Sequence, residues 1–320
     1  AVSLVLSTFK SQGLPCDTLL AGSGIRTADL SRSDTRITTT QEMQVCANAV
    51  ALRREIGLEL GQRMHVSSYG MLGYALLTSA TLGDALELAL RYPALLGTLF
   101  QLSLKIEGNQ VWFCAEHYTA SPSLAIFNAE LCLASLKVIC EDLIGQPVAL
   151  MAARFTHSRP DYHERYASTF DCPSTFNAPD NAFAFARQWL DYPLPLADPI
   201  THQAMAERCR KQNLEFTGRQ TWLARIRKLL AVQLHAAPGL EGLAEQMNSS
   251  PRTLRRHLHD AGCSYQNLLD ELRFERAKML LHETEWPIYR IAETLGFSET
   301  ASFRHAFIRW SGVAPSQFRA

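Results

Sequence analysis

Trp286 to Arg319 reads W-P-I-Y-R-I-A-E-T-L-G-F-S-E-T-A-S-F-R-H-A-F-I-R-W-S-G-V-A-P-S-Q-F-R, and the stretch accepts two short amphipathic helices with a three-residue turn between them. Pro287 suits a first helical position, where its missing N–H is not needed, and Ile288, Ile291, Ala292 and Leu295 come after it at helical spacing. Gly296 ends that helix, because a left-handed C-terminal conformation costs glycine little, and Ser298 is a good N-cap for the next helix. That second helix is predicted from about Glu299 to Trp310. Its inward residues are Ala301, Phe303, Ala306, Phe307 and Trp310, which leaves Thr300, Arg304 and His305 less constrained by the core. Such a pair is a helix-turn-helix, whose second helix can enter the DNA major groove. Many helix pairs are only packing units, so the chain upstream has to decide.

An equivalent layout occurs there. Leu240, Leu243, Ala244 and Met247 share one face of a short helix, Asn248-Ser249-Ser250 forms a polar turn, and P-R-T-L-R-R-H-L runs from Pro251 to Leu258. Leu254 and Leu258 are its inward residues, and Arg252, Arg255 and Arg256 give one helix three guanidinium groups. Between the two units, Tyr265 to Leu281 is a strong helical run capped by Ser264, and at 1.5 Å per residue it spans roughly 25 Å. Two heads on a rod of that size suit major-groove segments about one helical turn, roughly 34 Å, apart on one face of a duplex. A solvated charged face is the ordinary explanation of an arginine cluster; beside a second helix-turn-helix at this separation, DNA binding displaces it.

The motifs I-Y-R-I-A-E-T-L-G-F-S, F-R-H-A-F and G-V-A-P-S-Q-F-R, with S-P-R-T-L-R-R-H-L upstream, resemble the AraC/XylS transcription regulators over Trp222 to Ala320. The resemblance implies an all-α domain of seven helices, in which two helix-turn-helix units, about 240–259 and about 287–310, are joined by a long helix. It places base-contacting positions on Arg252, Arg255 and Arg256 in the first unit and on Glu299, Thr300, Arg304 and His305 in the second. The second unit departs in tone, since Ala301 is small and Glu299 is acidic.

The chain has 320 residues, 47% of them hydrophobic, which suits two domains with a substantial core. Lys plus Arg and Asp plus Glu number 31 each, a balance that argues against a nucleic-acid protein when taken whole. From Arg219 onward, however, 14 basic residues face 10 acidic ones, so the tail carries +4 and the front −4. With so modest a bias, affinity is expected from placed contacts more than from bulk charge. Eight cysteines, at 16, 46, 114, 132, 140, 172, 209 and 263, form no C-x-x-C pair and sit mostly among apolar neighbours. Buried free thiols in a reducing cytoplasm are the expectation. No run of eighteen apolar residues occurs and the first residues lack a signal-peptide pattern, so neither a membrane span nor a leader is expected.

Residues 1–197 read as an α+β domain. Short helical pieces to Leu30 break at Gly13-Leu14-Pro15 and Gly22-Ser23-Gly24. A polar loop or cap region from Ser31 to Thr40 leads into a helix near Gln41 to Ile56, and Gly57, Gly61, Gly70, Gly73 and Gly83 punctuate apolar segments. Thr81 to Tyr92 is a clear helix, Gly108-Asn109 is a hairpin turn, and Ala125 to Ile144 is a long, mostly buried helix. Strands come next, around Leu150 to Phe155, Ser174 to Phe176 and Ala182 to Phe185. Tyr69 to Tyr92, H-S-R-P-D-Y and Phe170 to Pro195 resemble the arabinose-binding-like effector domain of one branch of AraC-like regulators. That resemblance implies a small-molecule effector whose class the label does not fix. Prolines at 193, 195 and 199 mark the exit, 198–221 is the expected linker, and 222–320 is the expected DNA-binding domain.

His157 and His163, with Asp161 and Glu164 near, do not complete a ligand set across Pro160, so no metal or other cofactor is expected. Without a G-x-S-x-G elbow, a phosphate loop or a G-x-G-x-x-G turn, nothing recommends an enzyme. Tyr69, Tyr74, Tyr92, Trp112 and Tyr118 are aromatic candidates for an effector pocket, and His117 and Arg154 are its polar candidates. The reading is a cytoplasmic transcription regulator, an activator by resemblance, controlled by a small molecule bound in the front domain. Its expected partners are double-stranded promoter DNA, the effector and a second copy of the chain, with RNA polymerase implied by resemblance and no membrane. The alternative is a ligand-independent regulator whose front domain only dimerises.

Overall fold

In this computed structural model, residues 2–11, 13, 15–31 and 37–319 are described; the expected break at Leu14 and the middle of the expected polar loop, 32–36, lie outside them. Two compact units are formed, Ala1–Phe216 and Thr217–Ala320.

The first unit opens with α1 (Val2–Lys10), α2 (Cys16–Leu20), α3 (Thr39–Leu52) and α4 (Ile56–Gln62). They bury Val5, Phe9, Leu19, Val45, Ala49 and Ile56 in one apolar cluster. Thr38 starts α3 with a capping box: its hydroxyl accepts from the Gln41 N–H and the Gln41 side chain accepts from its own N–H. The helix expected to run on to Ile56 is two helices. At Arg53 the backbone is extended, φ −147° and ψ 108°, and its guanidinium pairs with Glu55 and Glu59 at 3.2 and 2.9 Å, fixing the corner before α4.

Next come α5 (Gly70–Leu77), α6 (Leu82–Arg91) and α7 (Pro93–Leu96), then the hairpin β1 (Gln101–Glu107) and β2 (Gln110–Glu116), then α8 (Ala125–Ile144). The hairpin turns on Gly108-Asn109, and α8 has the bounds the sequence predicts. That helix is long and apolar enough to cross a bilayer. Its apolar character has another use, because Phe127, Leu133, Leu136, Ile139 and Leu143 are buried inside this unit. Gly57 and Gly61 lie inside α4 and do not interrupt it. They sit four residues apart, on one face, where α4 crosses α8. A Cβ on Gly57 would stand 2.7 Å from the Phe127 carbonyl oxygen, and one on Gly61 would stand 2.5 Å from Ala134 Cβ.

After β3 (Leu150–Arg154), α9 (Glu164–Phe170), β4 (Ser174–Thr175) and β5 (Asn181–Ala186), the sheet closes in the order β1-β2-β5-β3-β4. Every pairing is antiparallel except β3 with β4. Strand residues alternate between faces: Val111, Phe113, Phe183 and Phe185 join the α8 core, while Trp112, Cys114, Ala182 and Ala184 turn to the other side. Trp112 pairs in register with Ala184.

All but the first residue of the segment expected as a linker lies within α10 (Pro199–Val232), and that first residue, Asp198, caps its first turn by accepting from the Thr201 N–H at 2.6 Å. Beyond it come α11 (Leu240–Gln246), α12 (Pro251–Asp260), α13 (Tyr265–Glu283), α14 (Ile288–Thr294), α15 (Thr300–Ser311) and α16 (Pro315–Arg319). With α10 these make the seven helices that the resemblance implies. Two cores form around α13. Leu268 joins Ile226, Leu230, Leu243, Leu254 and Leu258 in the first, and Leu269, Ala277 and Leu280 join Ile291, Leu295, Phe303 and Phe307 in the second. Nineteen residues make α13 a rod of about 28 Å. All eight cysteines are free, and Cys46, Cys114, Cys140 and Cys209 are buried.

Candidate nucleic-acid interface

Each helix-turn-helix is set by its turn. After α11, Asn248 takes a positive φ of 49°, and after α14, Gly296 takes 76°. In both turns the next residue's N–H reaches back five residues, Ser249 to the Ala244 carbonyl at 2.9 Å and Phe297 to the Ala292 carbonyl at 3.0 Å, the bond that closes a helix on a left-handed residue. Only glycine fits the second turn, where a Cβ would lie 2.5 Å from the Leu234 carbonyl and 2.8 Å from that of His235. From α13, Arg273 braces the same turn, donating to the Gly296 carbonyl at 3.2 Å with its guanidinium 4.7 Å from the Phe297 ring centroid.

The second helices start differently. Ser250 caps α12 by accepting from the Thr253 N–H at 3.1 Å, and Pro251 takes the first helical position. Glu299 occupies the N-cap position of α15 and makes no side-chain cap bond. The sequence pattern puts this cap one residue earlier, at Ser298, and puts Pro287 inside α14, whereas Pro287 is the N-cap with ψ 149°. Proline is admitted there because the N–H of an N-cap makes no helical bond, so the ring removes a donor without breaking one.

Leu254 and Leu258 hold α12 to its core. Opposite them Arg252, Arg255, Arg256 and His259 are exposed, at the i, i+3, i+4, i+7 spacing of one helix face. None of the three arginines has a carboxylate partner among the described residues, and His259 Nδ1 lies 3.8 Å from Asp260. On α15, Phe303 and Phe307 are fully buried, and Arg304 and His305 are exposed as predicted, with Glu299 exposed and Thr300 half-buried beside the turn. Ala301, expected inward, is exposed: it lies on the side of the helix away from Phe303 and Phe307. Ile308 comes seven residues later on that outward face, 43% exposed. His259 and Ile308 were not predicted, although carrying the same periodicity one turn further along each helix finds both. The acidic face of α13 ties the heads down, with Glu271 to Arg227 of α10 at 2.8 Å and Asp270 to Arg309 of α15 at 2.7 Å.

In the first unit the structure brings together two of the effector candidates. The Arg154 guanidinium stacks 3.9 Å from the Trp112 ring centroid and donates to the buried Asp180 at 2.9 Å, and Lys105 reaches Glu116 at 2.9 Å beside them. The others stand elsewhere. Tyr92 is buried at the end of α6, Tyr69 is half-buried with burial pushing its phenol up to about 12, and His117 is exposed with φ 51°. Tyr74 is 64% exposed and Tyr118 accepts from Asn128 at 2.9 Å. A cleft of about 380 Å³ is lined by Asp84, Glu87, Arg91 and His202 among others, and none of these candidates lines it. A further buried polar group was missed. Glu130 on α8 is fully buried and accepts from the hydroxyls of Tyr162, at 2.8 Å, and Tyr166. Its Oε2 has no hydrogen-bond partner among the described residues and packs against Gly57. Burial pushes this carboxyl up to about 7, although both phenols pull it down. His157 Nε2 stands 3.3 Å from the Tyr166 hydroxyl and His163 Nδ1 3.2 Å from the Pro160 carbonyl, each engaged locally.

Comparison with known proteins gives two family matches: the arabinose-binding domain of AraC transcription regulators, N-terminal, over residues 13–194, and a helix-turn-helix domain over residues 243–320. The chain is 33% identical to the ornithine utilization regulator of Pseudomonas aeruginosa, covering 98% of this chain and 94% of that protein. It is 31% identical to the HTH-type transcriptional regulator VqsM of the same species, over 82% and 83%. The crystal structure of the transcriptional regulator CdpR from Pseudomonas aeruginosa aligns over 99% and 96% of the two chains, with 24% identity and a TM-score of 0.45.

Proposed function

This chain belongs to the AraC family of transcription regulators, and on that basis we propose that it is an effector-controlled activator that reads promoter DNA through the outward faces of α12 and α15. The observation that carries the proposal is the exposed line Arg252, Arg255 and Arg256 opposite buried Leu254 and Leu258. A guanidinium so displayed can make a bidentate contact to guanine O6 and N7 or hold phosphate. On α15, Glu299, Thr300, Arg304 and His305 are the corresponding contacts. Arg255→Ala and Arg256→Ala are expected to remove sequence selectivity while the circular dichroism of the full chain stays unchanged. In gel-shift titrations at fixed salt, an unaltered ratio of specific to random-duplex affinity in both variants would reject the assignment.

The first unit takes a small molecule, with Trp112 and Arg154 the best-supported contacts because they already form one aromatic and cationic surface. Tyr69, Tyr92 and His117 remain secondary candidates. No catalytic role is assigned to it, and the regulator acts in the cytoplasm, as a dimer, with RNA polymerase as its downstream partner. Because a relative is named for ornithine utilization, ornithine and other amino acids are the first compounds to screen by thermal shift. A ligand specific to the folded state at a hundred times its Kd adds about 2.7 kcal/mol. Trp112→Ala should abolish that shift; a shift that survives it places the effector elsewhere in the unit.

A further inference from the structure

Aligned by their buried residues, with Leu254 matching Phe303 and Leu258 matching Phe307, the two helices present the same four outward positions. Arg252 corresponds to Ala301, Arg255 to Arg304, Arg256 to His305 and His259 to Ile308. The first line carries three guanidinium groups and ends on a histidine. The second has apolar side chains at its two ends and cationic or ionisable ones between them.

Given the DNA-facing reading of both helices, on which this inference rests, we propose that α15 reads thymine, with Ala301 and Ile308 meeting thymine 5-methyl groups in the major groove. Thymine is the one base that offers a methyl group there, and alanine-type contacts are the chemistry that recognises it. Ala301 lies in the first turn of α15, the part of a recognition helix that reaches base edges. Glu299 just before it adds acceptors and no donor, which disfavours the O6 and N7 acceptors of guanine at the neighbouring base. Arg304 and His305 flank the apolar line and suit phosphate or a single purine contact. Ala301 and Ile308 are seven residues apart, about 10 Å along the axis. That separation exceeds the roughly 3.4 Å of one base-pair step, so the two side chains meet different bases. The operator therefore has unlike halves, one bearing guanine under α12 and one bearing thymine under α15.

The test starts from duplexes selected by the full chain from a random pool. Each thymine is then replaced singly by deoxyuridine, which removes only the methyl group, and each guanine by 7-deazaguanine, which removes only the N7 acceptor. Uracil at one or two positions of one half-site should weaken binding about fourfold, the affinity equivalent of one buried methyl carbon, while 7-deazaguanine effects fall in the other half. With Ala301→Gly the uracil effect should disappear at the base facing Ala301 and remain at the base facing Ile308, with the reverse in Ile308→Ala, and the 7-deazaguanine pattern should persist in both. The proposal is overturned if no uracil substitution changes affinity, or if the effect is undiminished in both Ala301→Gly and Ile308→Ala. Failure of the underlying DNA-reading assignment looks different, because then the pool yields no preferred sequence and neither replacement matters in either half.

Discussion

α12 and α15 are held by equivalent pairs of buried residues and emerge from turns closed by the same backbone bond, yet one head is filled with leucine and the other with aromatic rings. Phe303 lies 5.5 Å from Phe297 and 5.7 Å from Phe307, centroid to centroid. Along the four outward positions, the first head shows three guanidinium groups and the second shows one, with alanine and isoleucine beside it. Buried side chains and the left-handed turn residue thus set where a recognition helix points, which leaves the outward positions free to carry different chemistry. The first unit makes a contrast of its own, since there a carboxyl is buried where the heads display their charges.

Substitutions in the cores should separate the heads most strongly. Phe303→Ala should cost about 3–5 kcal/mol and Leu254→Ala about 2–5 kcal/mol. Hydrogen exchange on the full chain should show lost protection in α14 and α15 for the first variant and in α11 and α12 for the second. Equal loss in both heads from either variant would merge them into one cooperative core. Next comes the buried charge. Because the folded Glu130 carboxyl titrates near 7, above its ordinary value, the folded state binds the extra proton. Its contribution is full below about pH 4.5 and is lost as pH rises through about 7. Across that window Glu130→Gln should remove a slope worth up to a few kcal/mol in urea denaturation of the full chain; an unchanged slope would assign it to other groups.

Smaller effects distinguish the heads at their surfaces. Arg255→Ala should cost about 1–3 kcal/mol of specific affinity through its lost contact to guanine; an equal loss on random duplexes, with the salt slope lowered by about one, would make it a phosphate contact and count against base reading. His259→Ala, at the far end of the same line, should cost less than Arg255→Ala in the same titration. Least of all, Ser250→Ala should cost about 1 kcal/mol of stability through its lost cap. Glu299→Ala loses only its interaction with the helix dipole, about 0.3–1 kcal/mol of stability, and should relax the discrimination against guanine at the base it faces. A Glu299→Ala loss as large as that of Ser250→Ala would show a cap bond in solution.

Much of this was legible in the sequence, because strong patterns leave little choice. The bounds of α8, the hairpin at Gly108-Asn109 and the phases of Leu254, Leu258, Phe303 and Phe307 all follow from spacing. Ala301 was misplaced because alanine is nearly indifferent to burial, so periodicity alone cannot assign its side. Gly57 and Gly61 looked like breaks because glycine weakens a helix, whereas their four-residue spacing permits close contact with α8. Glu130 went unremarked because one carboxylate in an apolar run passes for an exposed residue until its tyrosine partners, 32 and 36 residues away, are brought to it. The effector candidates were chosen by residue type, and only Trp112 and Arg154 stand in contact as a cation-π pair.

A hydroxyl-radical footprint of the full chain on its selected duplex is the sharpest test of whether both heads read DNA. Two protected segments about one helical turn apart on one face are predicted, with Arg255→Ala losing one and Arg304→Ala losing the other. A single protected segment, or the same segment lost in both variants, would rule out two separate reading heads.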